Sequence, residues 1–407
     1  MQKRRIFIVN QTDDSHRYGV GKYINEIIAE AKLKKNDFEL ISIEIGVPDI
    51  LSTIRTEKDN ISYLQIPCPV SYKGTIKNLP YKYSRAIFII LQELYLFTET
   101  DTFHFNSNMQ HFLLTLIKEH TSTKIIYTIH VSLWKVLYNN DFNKFISEFN
   151  DLDNDSFFSK NIKAEIKNCE LSDRIICLSE SMKRDVLEIY KIPCQKVFKI
   201  SNGIKEQKFI KEDFDKINEI KDSLKINKED FVFLYVGRLI AQKGIIHLLN
   251  TFKVILDKGY KNVKIIIVGD GPMKNSLVKE YKSLKQNIVF TGYLPAKLVK
   301  LYYKLADTLI FPSLNEQSSY VMLEAMSYKL PMIVSNTDIF EMLEDKYSCL
   351  KIDLTEKTEL DIDSMEQKMK AMVHDEELRT RIAESAYSLY VQNCSSEAMF
   401  NSTYSAI

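Results

Sequence analysis

The stretch FVFLYVGRLIAQKG, from Phe231 to Gly244, decides the fold. Its first six residues are apolar and mostly aromatic or β-branched, which predicts a buried strand. The glycine after the strand predicts a tight turn, and a stretch of helical period begins near residue 245. Because a buried strand, a short loop and a helix form the repeating unit of a parallel sheet, this stretch predicts an α/β protein.

The same alternation of short apolar runs and longer helical stretches continues on both sides of this unit. The other strands of the second half are predicted at residues 263–268, 288–290, 308–311, 332–334 and 349–352, and one long helix is predicted at 363–390. The strands of the first half are predicted at residues 6–9, 40–44, 102–105, 124–129, 174–178 and 196–200. The pattern predicts two Rossmann-like, doubly wound domains that face a central cleft, where such folds bind ligands.

A break in the pattern around residues 193–212 predicts the boundary between these domains. Pro193, the turn at Asn202-Gly203 and the charged run after Gln207 interrupt the alternation there. We therefore expect an N-terminal domain over residues 1–200 and a C-terminal domain over 205–387. We expect a helix at about 388–407 to pack back on the first domain.

Composition excludes several classes of protein. The 407 residues are 45% hydrophobic and 27% charged, which is typical of a globular protein and excludes disorder, collagen and coiled coil. The 55 basic and 54 acidic residues nearly balance, so we expect no nucleic-acid partner. The six cysteines form no CxxC pair, which argues against a zinc site and favours a reducing compartment. We predict no transmembrane helix and a cytoplasmic location, with peripheral contact at the inner membrane face left open.

The loop after the first quoted strand has the composition of an anion site. Gly237 lets the backbone approach a ligand, Arg238 and Lys243 supply positive charge, and the helix start adds amide donors. A diphosphate fits these groups well. Taken alone, the loop is equally consistent with a strand exit that carries two solvated cations.

Two further glycine pairs follow strands. Gly269 and Gly271 lie in GDGP, which lacks the third glycine of a dinucleotide fingerprint. Such a turn either lines a nucleotide pocket or allows tight packing. Gly19 and Gly21, after the first strand, either admit a ligand phosphate or turn the chain.

A pair of carboxylates follows a later strand, within PSLNEQSSYVMLEAMSYKLPMIVS at residues 312–335. Glu316 lies in the loop and Glu324 on the helix that we predict after it. Carboxylates bind sugars by accepting hydrogen bonds from hydroxyl groups. Glu324 also fits an ordinary amphipathic helix with an exposed acid.

In succession, GRLxxxKG, GDGP and Glu-x7-Glu in the PSxxE…LEAM setting resemble the nucleotide-sugar-dependent glycosyltransferases of family 4, which have the GT-B fold. Weaker similarities are YGVGKY near the start, TIH at 128–130, SDRIICLSESMKRDV at 172–186 and SNGI at 201–204. The resemblance implies retaining, metal-independent transfer of a hexosyl group, as in polysaccharide biosynthesis. It implies no cofactor, a UDP- or GDP-linked sugar as the donor substrate, and a glycan, lipid-linked or peptide acceptor.

The resemblance also implies roles for individual residues. Arg238 and Lys243 would bind the donor diphosphate, Glu316 the donor sugar and Glu324 the ribose hydroxyl groups. His130 matches the family histidine near the reacting sugar. The donor-binding set that the resemblance implies is Gly19, Gly21, Gly237, Arg238, Lys243, Gly269, Gly271, Glu316, Gln317, Ser318, Ser319 and Glu324.

One departure concerns the donor sugar. Where family members usually carry Gly-Phe-Gly after the first glutamate, this chain has Gln317-Ser318-Ser319. The missing glycines restrict φ and add side chains, so we expect a narrower or more polar donor pocket.

Two alternative functions remain open on the sequence. The altered sugar loop is consistent with a catalytically silent GT-B subunit that binds a partner or a glycan. An epimerase of nucleotide sugars that shares the fold is a further alternative.

Trp134, near Tyr138 in the loop after His130, is either a stacking platform for the acceptor or part of the core.

Overall fold

The structure is a computed structural model that describes residues 4–11, 19–34, 38–69, 79–138, 141–149, 156–206, 208–314, 319–356 and 359–405. The chain divides into two compact units. The first unit comprises Met1–Gly203 together with Ser396–Ile407, and the second comprises Ile204–Ser395.

Each unit is built on one sheet. The first sheet has the order β3-β4-β2-β1-β5-β6-β7-β8, and the second has the order β11-β10-β9-β12-β13-β14. The pairings are parallel except that of β3 with β4. The strands are β1 Arg4–Gln11, β2 Phe38–Val47, β3 Ile54–Lys58, β4 Ile61–Pro67, β5 Thr102–Phe105, β6 Lys124–Ile129, β7 Arg174–Cys177, β8 Val197–Lys199, β9 Phe231–Val236, β10 Val263–Val268, β11 Ile288–Gly292, β12 Thr308–Phe311, β13 Met332–Ser335 and β14 Leu350–Ile352.

Helices connect these strands along the chain. The helices are α1 Gly19–Leu33, α2 Leu79–Leu94, α3 His111–His120, α4 Leu133–Leu137, α5 Phe142–Phe149, α6 Phe157–Leu171, α7 Glu180–Glu188, α8 Lys211–Ser223, α9 Ile245–Asp257, α10 Lys274–Glu280, α11 Ala296–Leu305, α12 Tyr320–Ser327, α13 Ile362–His374, α14 Glu376–Asn393 and α15 Ser396–Tyr404. The central strands, such as β10, are buried along their whole length. Continuous apolar runs are what a parallel sheet requires when both faces are covered. The predicted α/β class with two doubly wound units is confirmed.

The edge of the first sheet carries a hairpin that the sequence analysis did not predict. All five residues of β3 are exposed, so this strand has no apolar run to reveal it. The turn to β4 uses Asp59 and Asn60, whose φ angles of 54° and 62° lie in the left-handed region. A two-residue turn with positive φ at both positions has a backbone twist that matches the right-handed twist of the two strands that it joins.

The single helix predicted at residues 363–390 is wrong, because the chain forms two helices there. Helix α13 ends at His374 and α14 begins at Glu376. The carboxylate of Asp375 accepts a hydrogen bond of 2.8 Å from the backbone N–H of Leu378. This is an N-cap, which starts a new helix and satisfies one of its first free amide groups.

The segment Ser396–Ile407 belongs to the first unit, although it follows the second unit along the chain. The Ser396 hydroxyl donates a 2.6 Å hydrogen bond to the carboxylate of Glu30 on α1. The Phe400 ring stacks on that of Phe38 with centroids 5.4 Å apart. Helix α15 is thus fixed by polar and apolar contacts with the first unit.

Candidate functional site

The loop from Gly237 to Gly244 joins β9 to α9. Its first residues are fixed to the neighbouring strand and loop, because Gly237 N–H donates to the carbonyl oxygen of Val268 at 3.0 Å and Leu239 N–H donates to that of Asp270 at 2.9 Å. Gly244 has a φ of 69°, and a Cβ atom at this position would lie 2.2 Å from the carbonyl oxygen of Pro312. The loop therefore needs a glycine where α9 begins.

The two cations of this loop differ in exposure. Arg238 is exposed, and its carbonyl oxygen accepts a 3.0 Å hydrogen bond from the Tyr235 hydroxyl. Lys243 is half-buried, and its Nζ lies 5.9 Å from the centroid of the Phe311 ring. An aromatic face attracts a cation at such a distance. Both cations belong to one short loop at the carboxyl end of β9.

The GDGP loop packs directly on this loop. Gly269 has a φ of 146°, and a Cβ atom there would lie 1.9 Å from the carbonyl oxygen of Gly237. A Cβ atom on Gly271 would lie 2.6 Å from the carbonyl oxygen of Leu239. Of the two alternatives left by the sequence, tight packing accounts for both glycines. Its consequence is a single rigid double loop at the carboxyl ends of β9 and β10.

An ion pair joins the GDGP loop to the first residue of α10. Lys274 Nζ lies 2.7 Å from the carboxylate of Asp270. The hydrogen bond from Lys274 lowers the pKa of Asp270, and the backbone N–H of Tyr293 contributes in the same direction. Tyr293 follows β11 and is 76% exposed. No sequence motif marks this aromatic residue, and its only signal is its place directly after a strand.

The loop that carries the first predicted carboxylate is anchored beside the cationic loop. The Leu314 N–H donates a 3.0 Å hydrogen bond to the carbonyl oxygen of Gln242. The Ser335 hydroxyl donates to the carbonyl oxygen of Ser313 at 2.5 Å. Glu316, Gln317 and Ser318 lie outside the described residues. The described residues before them therefore lie next to the 3₁₀ turn that contains Lys243.

Ser319 and Glu324 lie on the element that follows. Ser319 is buried and caps α12, its hydroxyl accepting a 3.2 Å hydrogen bond from Met322 N–H. The Glu324 side chain is half-buried and lies beside the hydroxyl of Tyr303. Burial raises the pKa of Tyr303 well above its ordinary value, and the neighbouring Glu324 adds to the rise. Tyr303 thus presents a protonated hydroxyl to this carboxylate, a contact for which the sequence had no motif.

In the first unit, the predicted glycines begin a helix. Gly19 and Gly21 lie in the first turn of α1, Gly19 exposed and Gly21 buried. The first amide groups of a helix have no partner within it. Residues 12–18, which precede the helix, lie outside the described residues.

His130 directly follows β6 and keeps part of its surface exposed. Its Nε2 lies 2.9 Å from Oδ1 of Asn106, a buried residue that follows β5. The Tyr23 ring contacts the imidazole edge to face, with centroids 4.8 Å apart. Burial lowers the pKa of His130 to about 3, so the imidazole is neutral at physiological pH. Asn106 was missed by the sequence analysis.

Trp134 is a core residue and not an exposed stacking platform. It is 5% exposed, and its ring stacks on Phe145 with centroids 5.0 Å apart. Its Nε1–H donates a 2.9 Å hydrogen bond to the carboxylate of Asp185. Tyr138 is also buried and donates to Glu148. The core alternative for Trp134 is therefore correct.

Within the described part of the chain, no three His, Cys, Asp or Glu side chains are grouped as metal ligands would be. Nor do the described helices include one that is long and apolar enough to cross a membrane.

Two families have sequence models that match successive parts of the chain. Residues 19–208 match Glycosyltransferase Family 4, and residues 216–389 match Glycosyl transferases group 1. The chain is 28% identical over 215 residues to the capsular polysaccharide biosynthesis glycosyltransferase CapM of Staphylococcus aureus, which is 51% of this chain and 54% of that protein. It is 30% identical over 178 residues to an Escherichia coli UDP-Gal:alpha-D-GlcNAc-diphosphoundecaprenol alpha-1,3-galactosyltransferase, which is 42% of this chain and 45% of that protein. The chain spans about half the length of these curated relatives.

Solved structures are similar over almost the whole chain. A glycosyltransferase from Rickettsia africae ESF-5 has a TM-score of 0.70 at 17% identity, covering 100% of this chain and 98% of that one. Anabaena Alr3699/HepE in complex with UDP and glucose has a TM-score of 0.67 at 15% identity, covering 99% of both chains. WaaG, involved in lipopolysaccharide biosynthesis, has a TM-score of 0.67 at 14% identity, covering 98% of both chains. These similarities show the fold.

Proposed function

Because the chain belongs to the family 4 glycosyltransferases and has their GT-B fold, we propose that it transfers a hexosyl group from a nucleoside diphosphate sugar to an acceptor hydroxyl group. The observation that carries the proposal is the double loop of the second unit. There Arg238 and Lys243 share one short segment whose backbone is fixed by the GDGP loop. Loop rigidity matters because preorganised charge stabilises a transition state without first having to reorganise.

The proposed chemistry is the departure of a diphosphate while an oxocarbenium-like centre forms. A unit charge about 4 Å from a phosphate oxygen interacts by up to about 4 kcal/mol at an effective dielectric of 20, before desolvation is subtracted. Arg238 and Lys243 would each stabilise the leaving group in this way. We propose that Glu316 orients hydroxyl groups of the donor sugar and that Glu324 accepts hydrogen bonds from the ribose.

The stereochemical and acceptor steps are also part of the proposal. We propose retention at the anomeric carbon, with a leaving phosphate oxygen accepting the proton of the acceptor hydroxyl group. Because His130 is neutral, it cannot offset the negative charge of the diphosphate. We therefore propose that it forms a hydrogen bond to the sugar. No metal ion and no cofactor are required by this scheme.

The relatives suggest the substrate classes. One similar structure holds UDP and glucose, and one curated relative is named for a UDP-linked galactose donor. We propose a UDP-linked hexose as the donor, with a GDP-linked sugar as the alternative. The names of relatives in capsular polysaccharide and diphosphoundecaprenol chemistry suggest a growing glycan or a lipid-linked sugar as acceptor, ahead of a peptide. We place the reaction in the cytoplasm, at the inner membrane face for a lipid-linked acceptor.

The test is turnover with a panel of UDP-, GDP- and ADP-linked sugars. Lys243→Ala and Glu316→Ala are each expected to lower kcat/KM by about 100-fold or more, because each removes a group that acts on the donor. The control is Lys253→Ala, which removes an exposed lysine of α9, the helix after the loop. Wild-type turnover in Lys243→Ala, on the donor that the enzyme accepts, would refute the assignment.

The same panel separates the alternatives. A catalytically silent subunit, which the Gln317-Ser318-Ser319 loop motivates, releases no free nucleotide from any donor. An epimerase converts the nucleotide sugar into its isomer and needs no acceptor. A glycosyltransferase releases nucleotide slowly with water and faster when its acceptor is present.

A further inference from the structure

Two neighbouring strands of the first sheet, β5 and β6, are each followed by a polar residue just beyond their carboxyl ends. Strand β5 lies between β1 and β6 in the parallel sheet. Asn106 follows β5 and His130 follows β6, so the register brings their side chains together. The backbone N–H of Asn106 donates a 3.2 Å hydrogen bond to the carbonyl oxygen of Val9 on β1. Asn106 is therefore fixed on one side by β1, and on the other side it contacts the residue that follows β6.

The orientation of the Asn106 amide follows from its second hydrogen bond. Its Nδ2 lies 3.2 Å from the carbonyl oxygen of His104. A carbonyl oxygen only accepts, so the atom facing it must be the amide nitrogen and not the amide oxygen. The amide oxygen therefore faces His130. The acceptor in the 2.9 Å contact with His130 is thus assigned by the hydrogen-bond network.

The tautomer of His130 follows from that acceptor. An amide oxygen accepts, so Nε2 of His130 carries the proton and donates. A neutral imidazole has one protonated nitrogen, which leaves Nδ1 with a lone pair. In the described ranges, no side chain hydrogen-bonds this Nδ1. The Tyr23 ring, 1% exposed, packs against the imidazole and restricts it.

A second histidine, His104, supplies the carbonyl oxygen that orients the Asn106 amide. His104 is fully buried, with Nε2 2.7 Å from the Thr128 hydroxyl and Nδ1 2.8 Å from the Tyr404 hydroxyl. Burial, together with the nearby His130, lowers the pKa of His104 to about 3. Its ring is held at both nitrogens, so the residue whose carbonyl oxygen orients Asn106 is itself fixed.

We infer that Asn106 is a positioning residue, whose amide holds His130 as the Nε2–H tautomer so that Nδ1 accepts a hydrogen bond from a sugar hydroxyl group. The tautomer is a property of the protein alone. Its effect on turnover rests on the proposed function. The opposite tautomer presents an N–H to the same hydroxyl group, which must then turn to accept.

The first experiment measures the tautomer without substrate, by side-chain ¹⁵N NMR of the full-length protein. His130→Gln assigns the His130 signals by their loss. We expect an unprotonated Nδ1 and a protonated Nε2 in the wild type, and a mixture of tautomers in Asn106→Ala. Asn106→Asp keeps an oxygen acceptor and is expected to retain the Nε2–H form. A protonated Nδ1 in the wild type, or an unchanged tautomer in Asn106→Ala, would overturn the inference.

The matched control is Asn168→Ala. Asn168 is also fully buried, and its Nδ2 also donates to a backbone carbonyl, at 3.4 Å from that of Asn108, but it has no histidine partner in the described network. General loosening of the unit affects both variants. Only Asn106→Ala is expected to change the His130 signals.

The second experiment measures turnover on the donor that the wild type accepts. Asn106→Ala is expected to lower kcat about 10- to 100-fold, the effect of one misdirected hydrogen bond, with donor KM little changed. Asn106→Asp should recover part of this loss. Wild-type kcat in Asn106→Ala, despite mixed tautomers, refutes the link to turnover. If the wild type acts on no nucleotide sugar, the proposed function fails while the NMR result still decides the tautomer.

Discussion

Glu165 offers a prediction that needs no substrate. It lies on α6, is 3% exposed, and accepts a 2.6 Å hydrogen bond from the Tyr190 hydroxyl. Burial raises its pKa from 4.5 to about 7, and the negative charge of Asp185 adds to the rise. The folded first unit therefore keeps a proton that the unfolded chain releases at the same pH. We expect Glu165→Gln to stabilise this unit at alkaline pH.

The sign and size follow from the two pKa values. Below pH 4.5 both states hold the proton, so the charge makes no difference to the free energy of unfolding. Between pH 4.5 and 7 the unfolded state loses the proton first, so the wild type loses stability as pH rises. Above pH 7 the loss is complete and amounts to about 3 kcal/mol, at about 1.4 kcal/mol per unit of pKa. Glu165→Gln keeps an oxygen for Tyr190 and avoids this loss.

The assay is denaturant unfolding followed by tryptophan fluorescence at pH 4.5, 6 and 8. Trp134 is the one tryptophan of the sequence and lies in the first unit, so it reports on that unit in a two-unit chain. The control is Glu170→Gln, an exposed residue of the same helix. We expect the difference in the free energy of unfolding between Glu165→Gln and wild type to grow from pH 4.5 to 8. A constant difference would show that unfolding does not ionise Glu165.

Two further predictions concern the second unit. Gly269→Ala is expected to destabilise this unit by at least about 2 kcal/mol more than Gly259→Ala. Both positions have positive φ, but a Cβ atom at Gly269 would meet a backbone oxygen, whereas nothing lies within 4 Å of a Cβ atom at Gly259. Thermal unfolding of the two variants measures this difference, and equal melting temperatures would contradict it. Tyr303→Phe removes the hydroxyl group beside Glu324 and is expected to weaken nucleotide binding about 10-fold, with kcat little changed. Calorimetric titration with UDP measures the affinity. Unchanged binding would show that Tyr303 does not orient the Glu324 carboxylate.

Most interior strands could be predicted from the sequence because a parallel sheet covered on both faces needs largely apolar runs. Strand β4 is interior but was not predicted, since Ser62 and Gln65 interrupt its apolar residues. Strand β9 is such a run, and β10 is one apart from Lys264. Because the two strands are parallel neighbours, the two glycine loops that follow them lie at one edge of the sheet. Strand β3 was missed because its side chains are all exposed. Its pairing with β4 depends on a turn and not on an apolar pattern.

The candidate site divides in the same way. Glycine loops and paired cations have recognisable composition, so Gly237 and Lys243 could be predicted as candidate site residues from the sequence alone. Asn106 and Tyr303 have no motif, because their importance comes from contacts made by the register of strands or the packing of helices. The burial of Trp134 likewise depends on a helix that packs over it, which no local pattern shows.

The position of α15 has a consequence for synthesis of the protein. The ribosome completes the first unit up to Gly203 and must add roughly 190 more residues before Ser396 emerges. At about 5–20 residues per second, this takes about 10–40 s. During that interval the nascent chain holds Glu30, Phe38 and His104 without the contacts that α15 later supplies. The first unit is thus completed only after the second unit has been synthesised, and it is exposed to chaperones and proteases in the meantime.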